Sequence, residues 1–265
     1  MPQNNPIENF HMKFCKELLG VQKQTTNIGV LLELGLTPLS LHSTKSAIKN
    51  WIRITNGIKC NNLVITSYEC SVTLNLSWQN KIKDTLSNIG MLDTFLTKDV
   101  RTHTLAFQRL QDIFHQNAFH DIKESSKLKT YSILKIQIGY ENYLSQIQNT
   151  QNRISLTKFR LSNHTLMIET GRHQRIEKSQ RFCPFCPNTI EDERHFLLQC
   201  PVYDVFRNEL FSEAKQEKAN ILQMDSSDKF ITILTNPTIV PKTAPCLNRM
   251  FYCREFLLRR HKNVI

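Results

Sequence analysis

Glycine is scarce, with seven in 265 residues. A hairpin-rich β fold uses glycine at its turns and a phosphate-cradling loop is built from it, so both are disfavoured. Long apolar runs are missing too. Nothing approaches the roughly 18 apolar residues of a membrane span. The opening stretch MPQNNPIENFHMKFCKELLG shows neither the early basic cluster nor the continuous apolar core of a signal peptide. The expectation is a cytoplasmic or nuclear protein with no membrane partner. Asp-Asp pairs, G-x-S-x-G and H-E-x-x-H are likewise absent, which leaves the common hydrolase and two-metal signatures unrepresented.

Negative charge is in short supply. Lys and Arg number 34 against 23 Asp and Glu, for a net charge of +11. A surplus of that size points to a polyanionic partner, because each cation placed on a phosphate releases a counterion. With 40% hydrophobic and 22% charged residues the chain reads as globular. Its length suffices to bury a core without help from a metal.

Apolar residues recur at helical spacing through most of the chain. Ile7, Phe10, Phe14 and Leu18 form one stripe, with Gly20 as its stop. A second helix is expected between Asn27 and Gly35. A third carries Ala47, Ile48, Trp51 and Ile52, with nearby serines and Thr44 as cap candidates. The segment NNLVITSYECSVTLNL permits strand or helix, and its helical neighbours favour helix. Trp78, Ile82, Leu86 and Ile89 mark another stripe, and residues 98–123 should hold the longest helix. Residues 1–125 are thus expected to be a helical bundle. Residues 126–215 follow as a second unit, after the polar run KESSKLKT. Residues 216–265 form a tail, in which TNPTIVPKTAP reads as an extended loop and the end as a basic helix with Arg254, Arg259, Arg260 and Lys262 on a solvated face.

The densest chemistry lies in RFCPFCPNTIEDERHFLLQCPVYDVFR. Cys183, Cys186, His195 and Cys200 follow C-x2-C-x8-H-x4-C. Two cysteines two residues apart can face one ion from a tight turn, and three thiolates with one imidazole make a closed tetrahedral set that suits zinc. In a reducing compartment such a cluster binds metal rather than forming disulfides. A closed set leaves no position for water, so the zinc is expected to be structural. Thr189 is placed to cap the following helix, and Glu191, Asp192 and Glu193 to put negative charge at its positive end. Consecutive acidic residues on a helix diverge, which argues against a magnesium site. Tyr203, Phe206, Leu210 and Phe211 should pack the next helix back onto the cluster.

The run LTKFRLSNHTLMIETGRHQRIEKSQRFCPFCPNTIEDERHFLLQCPVYDVFRNELF resembles the zinc-binding region that follows the polymerase domain in non-LTR retrotransposon reverse transcriptases. Cys183, Cys186, His195, Cys200 and Pro201 match that pattern one by one. Upstream, KFCKELLGVQKQTTNIGVLLELGLTPL and IKNWIRI resemble the helical connector between polymerase and zinc region, so the likeness spans about residues 10–215. The resemblance implies a non-catalytic C-terminal fragment, since the palm motif with its paired carboxylates and the endonuclease are not in this sequence.

It also implies RNA or DNA as partner. Residues 151–182 carry seven basic against two acidic side chains, with two phenylalanines, Phe159 and Phe182, interleaved. That mixture suits a single strand or a structured RNA. Lys158, Arg160, Arg172, Arg175, Lys178 and Arg181 are the expected contacts. The rival expectation is a zinc-stabilised scaffold with a protein partner, or a decayed reading frame.

Overall fold

The structure, a computed structural model, describes residues 5–262, without the side chains at 100, 261 and 262. It is 71% helical and contains no strand among the described residues, as expected of a mainly α protein. The helices are α1 (Pro6–Leu19), α2 (Asn27–Glu33), α3 (Leu39–Thr55), α4 (Asn62–Thr73), α5 (Ser77–Asn88), α6 (Leu92–Thr97) and α7 (His103–Glu124). There follow α8 (Lys129–Leu134), α9 (Tyr143–Gln146), α10 (Thr150–Arg160), α11 (Met167–His173), α12 (Asp204–Glu217), α13 (Ser226–Thr235) and α14 (Val240–Lys262). No described helix is long and apolar enough to cross a membrane.

Two compact units divide the chain: Met1–Asn9 with Thr37–His120, and Phe10–Leu36 with Asp121–Ile265. In the first, Trp51 on α3 is fully buried with Ile48, Ile52, Ile82 and Leu86. The Trp51 ring stacks on Phe95 at 5.1 Å, and its Nε1 donates to the Tyr68 hydroxyl at 3.2 Å. The ambiguous segment 62–73 is helical because the Asn61 side chain caps it, accepting from Val64 N at 3.0 Å. At the start of α3 the carboxylate of Glu8 accepts from Leu39 N and Ser40 N at 3.2 and 3.0 Å. The expected cap Thr44 instead bonds back to Ser40 O within the helix.

The second unit has its core between α10, α12, α13 and α14, with Phe159 at the centre. Its ring lies 6.2 Å from Phe196, 6.4 Å from Phe230 and 6.3 Å from Phe251. Cys183, Cys186 and Cys200 belong to the same buried cluster. The longest helix is α14, not α7, and it takes in part of the stretch expected to be a loop. Pro241 falls in the first turn, where its missing N–H has no intrahelical acceptor. Pro245 costs one bond a turn later. Ala244, Cys246, Leu247 and Met250 on this helix are buried, and their burial outweighs that loss.

A charged knot ties α2 to α10. Glu33 is 0% and Arg160 1% exposed. Arg160 Nε donates to Glu33 Oε1 at 2.7 Å, Nη1 to Leu234 O at 2.8 Å, and Nη2 lies 2.8 Å from Glu141 Oε2. The Tyr143 hydroxyl donates to Glu33 Oε1 at 2.5 Å, and Lys135 Nζ pairs with Glu141 at 2.6 Å. Gly35 follows α2 with φ +65°, and a Cβ there would collide with the Tyr140 backbone, which reaches over to make the Leu34–Tyr140 bridge.

Helix α1 forms as expected with the opposite face inward. Met12, Cys15 and Leu19 are buried, whereas Phe10, Phe14 and Leu18 are 72%, 57% and 59% exposed.

Candidate metal centre

Cys183 and Cys186 sit in a turn between the bridge partners Phe182 and Ile190. Cys183 N donates to Thr189 O at 2.7 Å and Cys186 N to Cys183 O at 3.3 Å, with Asn188 at φ +55° closing the loop. His195 opens a π-turn, His195–Gln199, and Cys200 N closes it by donating to His195 O at 2.8 Å. The ligand atoms of Cys183, Cys186, His195 and Cys200 all lie within 4.8 Å of one another, and all four residues are buried.

The chemistry of this set fits a metal ion. The Sγ atoms of Cys186 and Cys200 are 3.6 Å apart, far beyond a disulfide bond. A tetrahedral ion with metal–sulfur bonds of about 2.3 Å requires a sulfur–sulfur edge of about 3.8 Å. Both ring nitrogens of His195 lack a hydrogen-bond partner, although the residue is 5% exposed. Buried polar atoms in that state are costly, and ligation would satisfy one of them. Hydrogen bonding from Cys200, against burial, lowers the Cys183 thiol to about 5. The same bond, seconded by burial, raises Cys200, and burial raises Cys186. Cysteine binds a metal as its thiolate, so binding an ion here would release protons from the thiols that carry them.

The surroundings differ from the sequence expectation in two respects. Thr189 Oγ1 donates to Pro187 O and caps nothing, while Asp192 Oδ1 accepts from His195 N at 2.7 Å and is the cap. Glu191 and Glu193 are buried rather than solvated helix-end charges. Glu191 accepts from Arg254 Nε and Nη2 at 2.7 and 2.6 Å and from Met167 N at 2.7 Å. Arg254 is therefore 3% exposed, not on a solvated face. Lys262 of the same basic cluster lies outside the described side chains. Glu193 accepts from the His164 ring at 3.1 Å and from Ser162 Oγ at 3.3 Å. Arg207, which no spacing singles out, donates to Leu197 O at 3.1 Å and Cys200 O at 2.6 Å and so holds the far side of the π-turn. Such partners, seven to sixty-three positions away, leave no local signal.

The six expected nucleic-acid contacts separate. Arg160 is consumed by the buried knot and is corrected to a structural residue, because Glu33 and Glu141 neutralise it inside the core. Phe159 is fully buried and offers no stacking face, whereas Phe182 is 41% exposed. Arg181 donates to Ile176 O and Ile168 O, each at 2.9 Å. Arg172 pairs with Glu169. Arg175 and Lys178 are exposed, and Lys158 is half-buried. Lys178, Arg172 and Arg181 line one cavity of about 340 Å³, and Lys127 and Lys129 from the KESSKLKT run line it as well. Comparison of the chain with family models, with curated proteins and with solved structures finds no match.

Proposed function

We propose that Cys183, Cys186, His195 and Cys200 hold a structural zinc ion, and that the basic surface beside it binds single-stranded RNA or DNA without catalysis. The observation that carries the first half is the buried Cys3His set within 4.8 Å, with an imidazole that has no other partner. Three thiolates and one imidazole fill a tetrahedral shell, so zinc here would cross-link the 183–186 turn to the π-turn and offer no site for substrate. The second half rests on the +11 charge, on exposed Arg175, and on exposed Lys178, which lines one cavity with Lys127 and Lys129. It agrees with the resemblance to the zinc-binding region of non-LTR reverse transcriptases.

Zinc per chain by elemental analysis tests the first half, with one equivalent expected in the wild type and little in Cys183→Ser. A folded wild type without zinc overturns it. The triple change Arg172→Ala, Arg175→Ala, Lys178→Ala should weaken binding to a single-stranded oligonucleotide. It should also flatten the logarithmic salt dependence by about 2, at roughly 0.7 per lost phosphate contact. Unchanged affinity and slope overturn the second half.

One observation favours a second reading, a protein-binding scaffold: the exposed stripe Phe10, Phe14 and Leu18 on α1. A partner retained after nuclease treatment and lost in Phe14→Asp supports that reading; retention by Phe14→Asp removes it.

A further inference from the structure

A cavity of about 270 Å³ opens between α10, the turn after it and α14. Its hydrogen-bonding groups are half used. Asn163 Oδ1 accepts from Gln22 N at 3.0 Å and Asn248 Oδ1 from Ser155 Oγ at 2.8 Å. Both side chains line the cavity, and these bonds occupy only the oxygen of each amide, while each NH2 can still donate. His164 lines it too. Its side chain is 1% exposed, and its Nε2 faces Glu193 Oε1 at 3.1 Å. With Nε2 engaged by Glu193, Nδ1 is the ring's remaining polar atom. That Nδ1 has no hydrogen-bond partner, an expensive condition for a group this deep.

The walls complete the description. The His164 ring stacks on Phe251 at 6.3 Å and 26°, which fixes its plane. Tyr252 stands at the cavity with 62% of its surface exposed, and Lys158 supplies a cation. Glu255, the acidic group present, pairs with Arg259 at 3.7 Å. Amide donors, an imidazole nitrogen without a partner and a free aromatic face together match the edge and the plane of a nucleobase. The volume lies just below the ~300–1,000 Å³ of pockets that enclose drug-sized ligands, which suits one base and its sugar.

We propose that this cavity receives a single unstacked base of a bound single strand, its edge on Asn163, His164 and Asn248, its face on Tyr252 and its phosphate near Lys158. The inference rests on the nucleic-acid reading above and goes beyond it, since backbone charge alone needs no base pocket.

The test is fluorescence anisotropy on the full zinc-loaded chain with two labelled single strands of equal length, one carrying bases and one fully abasic. Base–aromatic stacking contributes enough that the natural strand should bind roughly tenfold or more tightly than the abasic one. Tyr252→Ala and Asn248→Ala should each reduce that ratio severalfold and leave abasic binding unchanged; Tyr252 is exposed enough that its loss does not unfold the chain. On adding the natural strand, the His164 Nδ1 nitrogen resonance should shift, and the abasic strand should leave it in place. Equal binding of the two strands overturns the base pocket while the nucleic-acid reading stands. So does a ratio that both variants leave intact, because the base then sits elsewhere. Failure of both strands to bind overturns the reading and the pocket together.

Discussion

Replacing Arg160 with alanine should unfold the second unit more readily without touching any ligand. The guanidinium satisfies Glu33 at 2.7 Å, Glu141 at 2.8 Å and the Leu234 carbonyl at 2.8 Å, all at 1% exposure. Removing it leaves Glu33 in the core with the Tyr143 hydroxyl as its remaining strong donor. Breaking a buried ion pair from one side costs about 3–5 kcal/mol. With a urea m-value of about 1–3 kcal/mol/M, the midpoint of unfolding should fall by roughly 1–5 M. Arg160→Lys should recover only part of this, because an ammonium cannot span two carboxylates and a carbonyl as the planar fork does. The assay is far-UV circular dichroism in urea, paired with nucleic-acid anisotropy in buffer, where Arg160→Ala should match the wild type as long as it is folded. A loss under about 1 kcal/mol together with weakened nucleic-acid binding would refute the reasoning and return Arg160 to the surface role its position in a basic run suggests.

Arg254→Ala should destabilise by a similar ~3–5 kcal/mol because it strands Glu191 beside the metal turn. The double change Glu191→Leu, Arg254→Met should recover most of that, so a urea double-mutant cycle without coupling would remove the pair from the account. Burial raises the Cys246 thiol to about 12, with Arg249 and Arg207 opposing. An unfolded thiol ionises near 9 while the folded one stays protonated, so the stability it contributes is full below pH 9 and lost as pH rises towards 12. The slope is about 1.4 kcal/mol per pH unit. Cys246→Ala should remove that much slope from alkaline stability curves, and identical slopes would contradict the assignment. Gly35→Ala should cost more than the ~1 kcal/mol of an unfavourable positive φ, since its methyl meets the Tyr140 backbone. A midpoint unchanged in urea would mean that the bridge gives way freely.

The helices were readable because their apolar periodicity is local. Ile82, Leu86 and Ile89 are buried as their spacing implies. Periodicity does not say which of two apolar faces meets the core, and α1 turns Met12 and Cys15 inward instead of Phe10 and Phe14. The four-residue cluster was readable because cysteine and histidine have few other reasons to gather at that spacing. Arg160, Glu191, Arg254 and His164 were not, since a charge looks alike in sequence whether it faces water or a partner far along the chain. The prolines of α14 misled for a related reason: propensity is local, and the burial that overrode it is not.

The π-turn makes the number of residues between His195 and Cys200 a record of helix type. In an α-helix five steps of about 100° would carry Cys200 roughly 140° away from His195, off the side where an ion could join them. A turn that closes on the fifth residue brings the two back above one another. An H-x3-C spacing on an ordinary α-turn would serve equally well, because four steps overshoot a full circle by only about 40°. Deleting Gln199, which is exposed, therefore trades the wide turn for a regular one and keeps both ligands on one side. The ligand spacing of this module can change by one residue without changing its ligands.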